Sequence, residues 1–192
     1  MGAPKNLGVY SLEGRWSINP LYSWSVTPIL ELLARERRIR YRHHRVKRAR
    51  RLRTYAEEFT RLQGYHVLYI ATHGEPGLLD VGLLGASVDE LGEQLAGRCE
   101  GRVIFFACCH TVQRRQQMER FRERSGARMV IGYRRQVDTI QAAAFDLLVL
   151  DALAGNGSKT AAREPMRRAG TRLGALERRH RSLVKHLGFV RY

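Results

Sequence analysis

The chain has 192 residues, 44% of them hydrophobic, which suffices for one packed domain and is too apolar for a disordered segment. Its net charge is +16, and 30 of its 34 basic residues are arginine. No stretch approaches the roughly 20 apolar residues of a membrane span, Met1–Asn6 leads into a strand without an apolar signal core, and three cysteines, two of them adjacent, make no disulfide framework; a reducing, cytoplasmic setting without membrane attachment is therefore expected.

In chain order, short apolar runs alternate with helix-period segments, the pattern of an α/β sheet. Leu7–Leu12 predicts a first strand, running into a loop at Glu13-Gly14-Arg15-Trp16. Thr27 suits a helix cap and Pro28 the first helical position, with Ile29, Leu30, Leu32 and Leu33 as the buried stripe. Ile39–Val46 predicts a second, polar strand near a sheet edge. Leu52, Tyr55, Phe59 and Leu62 recur at helical spacing from about Ala49 until Gly64 stops the helix. Tyr65–Thr72 is a strong strand, followed by His73-Gly74; Leu78–Leu84 suggests a small hairpin. Ser87 with Glu90 three residues on marks the start of a helix. Arg102–Cys108 is the second strong buried strand. A polar helix over 112–124, a strand over 128–133 and a helix over 138–153 follow. Met166, Ala169, Leu173, Leu176, His180, Leu183 and Leu187 predict one long basic helix over about 165–186 that packs on the sheet, with a closing strand at Leu187–Tyr192.

Two of the buried strands end in reactive residues. One ends in Thr72-His73-Gly74; the other, 36 residues on, ends in Ala107-Cys108-Cys109-His110-Thr111. The intervening helix makes the pair a βαβ unit, so the strands should be parallel neighbours about 4.8 Å apart. Their carboxyl ends then share one edge, where open α/β sheets bind ligands. An imidazole beside a thiol can take its proton and make the thiolate nucleophile of acyl transfer, then protonate the leaving amine. Gly74 permits close approach of a substrate carbonyl, and its N–H is a candidate oxyanion donor. Successive strand residues alternate faces, so only one of Cys108 and Cys109 should face His73; Cys99, before the strand, carries no role.

His73-Gly74 and small-Cys on consecutive buried strands resemble the caspase-like cysteine peptidases, among them metacaspases, gingipains, separase and the bacterial CHAT proteases. Leu12-Glu13-Gly14 with Trp16 resembles short bacterial members of that group. The resemblance spans residues 6–135 and implies a caspase–haemoglobinase fold: one α/β domain over 1–192, a three-layer, mainly parallel sheet flanked by helices. It also implies a His/Cys dyad, endopeptidase activity, a peptide or protein substrate, a possible regulatory protein partner and no cofactor. The caspase pattern Ala-Cys selects Cys108; the CHAT pattern small-Cys-x-Thr selects Cys109, because Thr111 follows two residues later. In this group the specificity pocket lies beside the end of the first strand, where Glu13 would favour Arg or Lys before the scissile bond; the plainer role for Glu13 is binding loop amides around Gly14. Asp80 is a second acidic candidate, by loop position.

Two other readings compete. A zinc site could draw on Cys99, Cys108, Cys109, His110 and His73, but no C-x-x-C pair exists and adjacent cysteines chelate one tetrahedral ion poorly. A catalytically idle fold could use the basic run Arg37–Arg53 to bind nucleic acid; part of that run is more simply the exposed face of a strand and a helix.

Overall fold

The computed structural model describes residues 6–14, 24–82, 85–155, 166 and 168–192. The strands are β1 (Leu7–Glu13), β2 (Ile39–Arg45), β3 (Tyr65–Ala71), β4 (Gly74–Glu75), β5 (Leu78–Leu79), β6 (Ala86–Ser87), β7 (Val103–Ala107), β8 (Met129–Tyr133) and β9 (Phe189–Arg191). The helices are α1 (Thr27–Arg35), α2 (Ala49–Arg61), α3 (Val88–Gln94), α4 (Arg115–Ser125), α5 (Thr139–Ala154), α6 (Ala169–Arg179) and α7 (Arg181–Leu187).

Six strands make one sheet in the order β2-β1-β3-β7-β8-β9. The first five run parallel and β9 closes the far edge antiparallel to β8. Because β3 and β7 are covered on both faces, their centres are continuously apolar, as a buried parallel strand requires. Alternation then sends Val67, Tyr69, Ala71, Val103, Phe105 and Ala107 to one face, with α1, α5 and α6. Leu68, Ile70, Ile104, Phe106 and Cys108 go to the other, with α2, α3 and α4. The result is the expected three-layer α/β architecture with a mainly parallel sheet. No helix among the described residues is long and apolar enough to cross a membrane.

Local signals explain most boundaries. Ser87 accepts from Asp89 N and caps α3; Asp138 accepts from Gln141 N and caps α5. Gly126, at φ +73°, ends α4 in the left-handed conformation that glycine adopts without penalty. The predicted hairpin at 78–84 differs from the structure, and its last two residues lie outside the described residues. The hairpin instead joins Gly74–Glu75 to Leu78–Leu79. Its turn is Pro76-Gly77, where proline presets φ and Gly77 takes φ +81°. The long helix predicted over 165–186 is two helices within the described residues. His180, at φ −115° and ψ 37°, breaks it, and the change of direction lets Leu187 and Phe189 reach the core before β9.

The face carrying α5 holds a cluster of rings. Phe105 lies 5.2 Å from Tyr69 and 6.2 Å from both Tyr133 and Phe189, and Phe145 lies 5.1 Å from Phe189. Within this layer Asp146 of α5 is buried and accepts from the Tyr69 hydroxyl at 2.6 Å and from the Tyr133 hydroxyl. Burial raises its pKa to about 7, although both hydroxyl donors favour the carboxylate. A carboxyl whose native pKa lies above its unfolded value contributes stability below the unfolded value and loses it as pH rises through the native one. Unfolding free energy should therefore fall between about pH 4 and pH 7 by a few kcal/mol, and Asp146→Asn should flatten that slope. Urea titrations of both proteins across this range make the measurement; parallel slopes would show that another group sets the pH dependence.

Candidate active site

The expected juxtaposition begins with register. β3 and β7 pair in parallel from Val67↔Val103 to Ala71↔Ala107. Two residues beyond the last pair stand His73 on one strand end and Cys109 on the other. Tyr69 and Ala71, like Phe105 and Ala107, belong to the α5-facing rows. Continued alternation assigns His73 and Cys109 to those same rows, and Thr72 and Cys108 to the opposite ones. His73 is exposed and Cys109 half-buried.

Cys108 has a different environment. It is 1% exposed, packs in the core beneath α4, and donates its S–H to the Ile70 carbonyl at 3.2 Å. Burial pushes its pKa well above the ordinary thiol range. A thiol so placed behaves as a small packing residue. Cys99 is likewise buried, and its pKa is pushed up to about 11 by burial.

The turn after β7 is rigidly held. His110 takes φ +58°, a left-handed conformation uncommon for a residue with a Cβ, and its N–H donates to the Arg135 carbonyl. The buried Thr111 hydroxyl lies 3.2 Å from both the Leu78 and Cys109 carbonyls, and the Gly77 N–H donates to the Thr111 carbonyl. The turn is thereby pinned to the β4–β5 hairpin. Gly74 sits between them: a Cβ there would lie 2.1 Å from Thr111 Oγ1, 2.7 Å from the Cys109 carbonyl oxygen and 3.0 Å from Cys108 Cβ. Only glycine allows this approach of the His73-Gly74 main chain to the cysteine turn. The Asp80 N–H donates to the His73 carbonyl at 2.9 Å, Thr72 donates to the Asp80 carbonyl, and the Asp80 side chain is exposed.

Glu13 has an internal task. Its carboxylate is 2% exposed and accepts from Ser25 Oγ at 2.7 Å and from Val26 N at 3.1 Å, fixing the approach to α1. His43 Nε2 lies 3.5 Å and Arg45 Nε 3.7 Å from it, and His43 Nδ1 is within 3.1 Å of Ser11 Oγ. Burial lowers the His43 pKa, the neighbouring carboxylate opposing it. Oε2 takes both hydrogen bonds while Oε1 has only Arg45 near it, so Glu13 serves as a strut for α1. The strut is close to the plainer role weighed from sequence, except that it binds residues 25–26 rather than amides around Gly14. Trp16, expected in the same loop, lies outside the described residues.

The basic run Arg37–Arg53 is largely used within the fold. Arg40 and Arg42 lie over the Tyr65 ring, Arg42 pairs with Glu58 and Arg53 with Glu90. Lys47, Arg48, Arg50 and Arg51 remain exposed without an ion pair among the described residues. Among those residues no three His, Cys, Asp or Glu side chains form a group that could hold a metal ion.

The chain matches a family of unknown function, DUF6642, over residues 6–168 and belongs to it. No curated protein matches it. Among solved structures it is similar to caspase-1 from Spodoptera frugiperda, at 10% identity and a TM-score of 0.44, over 80% of this chain and 73% of that one.

The accessibility differences give two expected outcomes. Under native conditions an alkylating reagent should label Cys109 first, with Cys99 and Cys108 protected until the protein unfolds; mass mapping that puts the fast label on Cys108 would contradict the burial described. Gly74→Ala should destabilise the fold by about 1–3 kcal/mol through steric overlap, read as a lowered denaturant midpoint.

Proposed function

We propose that this protein is a caspase-like cysteine hydrolase in which Cys109 is the nucleophile and His73 its proton acceptor. The observation that carries the reading is the in-register pairing of β3 with β7, whose last pair, Ala71↔Ala107, stands two residues before both side chains. The exposed imidazole and the half-buried thiol stand at the carboxyl edge, beside the point between β1 and β3 where the direction of strand succession reverses. Ligands of open α/β sheets bind at such points.

The chemistry follows from the two groups. His73 takes the Cys109 proton, and the sulfur attacks the carbonyl carbon of a peptide bond. The tetrahedral oxyanion is met by main-chain N–H groups of the Gly74 and Cys109 segments. Collapse breaks the carbon–nitrogen bond, His73 returns its proton to the departing amine, and a thioester remains. Water, deprotonated by His73, then hydrolyses the thioester to the acid and the free thiol. Asp80, exposed and tied through its main chain to His73, is the carboxylate we assign to a basic side chain of the substrate.

Peptide reporters with Arg or Lys before the scissile bond test this directly. Cys109→Ala and His73→Ala should each lower kcat/KM by at least about 100-fold, with unchanged melting temperature. Cys108→Ala should retain turnover. Asp80→Asn should raise KM for basic reporters and leave neutral ones unaltered. Turnover that survives loss of Cys109 would remove it as nucleophile.

A further inference from the structure

A cavity of about 390 Å³ lies at the opposite end of the sheet from β2, where α4 meets β8 and β9. Its lining is Arg115, Arg122, Arg134 and Arg191, with Glu119, Val190 and Tyr192. Four arginines thus line the cavity beside one acidic residue, although the guanidinium of Arg191 turns toward α6, where it donates to the Gly170 carbonyl. Two of the four have acidic partners: Arg115 pairs with Glu119 at 2.8 Å and Arg191 with Glu177 at 3.1 Å. The side chains of Arg122, itself half-buried, and Arg134 make no ion pair or hydrogen bond among the described residues. Converging like charges that the fold does not neutralise repel one another, and an anion entering the cavity relieves that repulsion.

The lining also selects the kind of anion. A guanidinium presents a planar fork that matches two phosphate oxygens, and arginine is the residue suited to that geometry. The lining also includes Val190 and Tyr192, and Tyr192 is held in place: it pairs with Val130 through both main-chain groups, and its hydroxyl donates to the Val112 carbonyl at 2.8 Å. An aromatic ring held this way offers a stacking surface for a flat ring, with Val190 beside it. The volume lies within the range of small-ligand sites.

We infer that this arginine-lined cavity binds a nucleotide, with Arg122 and Arg134 on the phosphates and the base against Val190 and Tyr192. The nucleotide is free or part of a single strand, since both present the same chemistry. The inference does not depend on the hydrolase reading, because the cavity contains neither His73 nor Cys109.

The test uses the full chain with ATP, adenosine, inorganic phosphate and a twelve-nucleotide single strand as probes, followed by calorimetry at low and physiological salt. ATP or the strand is expected to bind, and adenosine and inorganic phosphate at least about tenfold more weakly, since each lacks one half of the contacts. Arg122→Gln with Arg134→Gln should weaken binding at least about tenfold, and Arg134→Gln alone, an exposed change, provides a variant whose fold is not at risk. Arg50→Gln with Arg51→Gln, on α2 at the other end of the sheet, should leave binding unchanged. Tighter binding of ATP than of the strand identifies the free nucleotide as the source; the reverse identifies the strand. The inference fails if neither probe binds at millimolar concentration. It also fails if adenosine or phosphate alone binds as well as ATP, or if the α2 variant loses as much affinity as the cavity variant, which would reduce the effect to bulk charge.

Discussion

Everything at the carboxyl edge depends on one pairing: β3 and β7 lie side by side, parallel and in register over five residues. Parallel neighbours in a sheet covered on both faces cannot slip by one residue without turning a buried apolar row toward the wrong layer. Tyr69, Ala71, Phe105 and Ala107 are fixed against α5, and Leu68, Ile70, Ile104 and Phe106 against α2, α3 and α4. The two strand ends therefore inherit a defined lateral and facial relationship before any polar contact forms. Gly74 and Thr111 then close the distance between the loops that follow, one by lacking a side chain and the other by bonding both.

Two carboxyls buried beside this apolar frame are each satisfied by a pair of donors. Glu13 at the end of β1 and Asp146 in α5 are both carboxyls removed from water, each surrounded by donors from other elements. A buried carboxylate is tolerated only with such partners. What each contributes is position: Glu13 ties the start of α1 to the strand it follows, and Asp146 ties α5 to the strands β3 and β8 through two tyrosines. Both lie on the face that the continued alternation assigns to His73 and Cys109.

The fold was legible because its two central strands are unusually plain. Val67–Ala71 and Val103–Ala107 are continuous apolar runs bounded by polar residues, so strand type, parallel order and the coincidence of their ends all follow from spacing. Cys108 against Cys109 was not decided by the two motifs, which point to different residues. What separates the two in the fold is the burial of Cys108 and its bond to Ile70, facts of packing that no motif carries. The partners of Glu13 were not legible for a similar reason: a carboxylate at a strand end suits a helix approach as well as a ligand, and Ser25 and Val26 are 12 and 13 residues away. The Glu75-Pro76-Gly77 turn carries its own signal, although the segment beyond it is more apolar. Asp146 left a trace, a single acid amid Ala-Phe-Asp-Leu-Leu-Val-Leu, but its tyrosine partners are set by tertiary packing alone.

The arginine excess acquires a physical account once its members are sorted by what they touch. Arg102 donates to the Phe59, Thr60 and Leu62 carbonyls at the end of α2, and Arg172 to the Ala152 and Leu153 carbonyls at the end of α5. The last carbonyls of a helix lack intrahelical donors and carry partial negative charge. A guanidinium reaches two or three of them at once, where an ammonium acts as a compact point charge. Arg40 caps the segment after α2 through the Gln63 carbonyl in the same way, with Arg42 beside it over Tyr65. The preference for arginine over lysine is thus in part a demand of the fold, for cations that bond main chain and stack on rings. Among the cations without an ion pair in the described residues, two groups stand at opposite ends of the sheet. Lys47, Arg48, Arg50 and Arg51 stand at the β2 end, and Arg122 and Arg134 at the β9 end. Fields from exposed charges fall off within about 8 Å at physiological salt, so the two groups act separately, and the second lines the cavity described above. A net charge of +16 describes the whole chain; where an anion would be held is decided by where unpaired arginines share a concave surface.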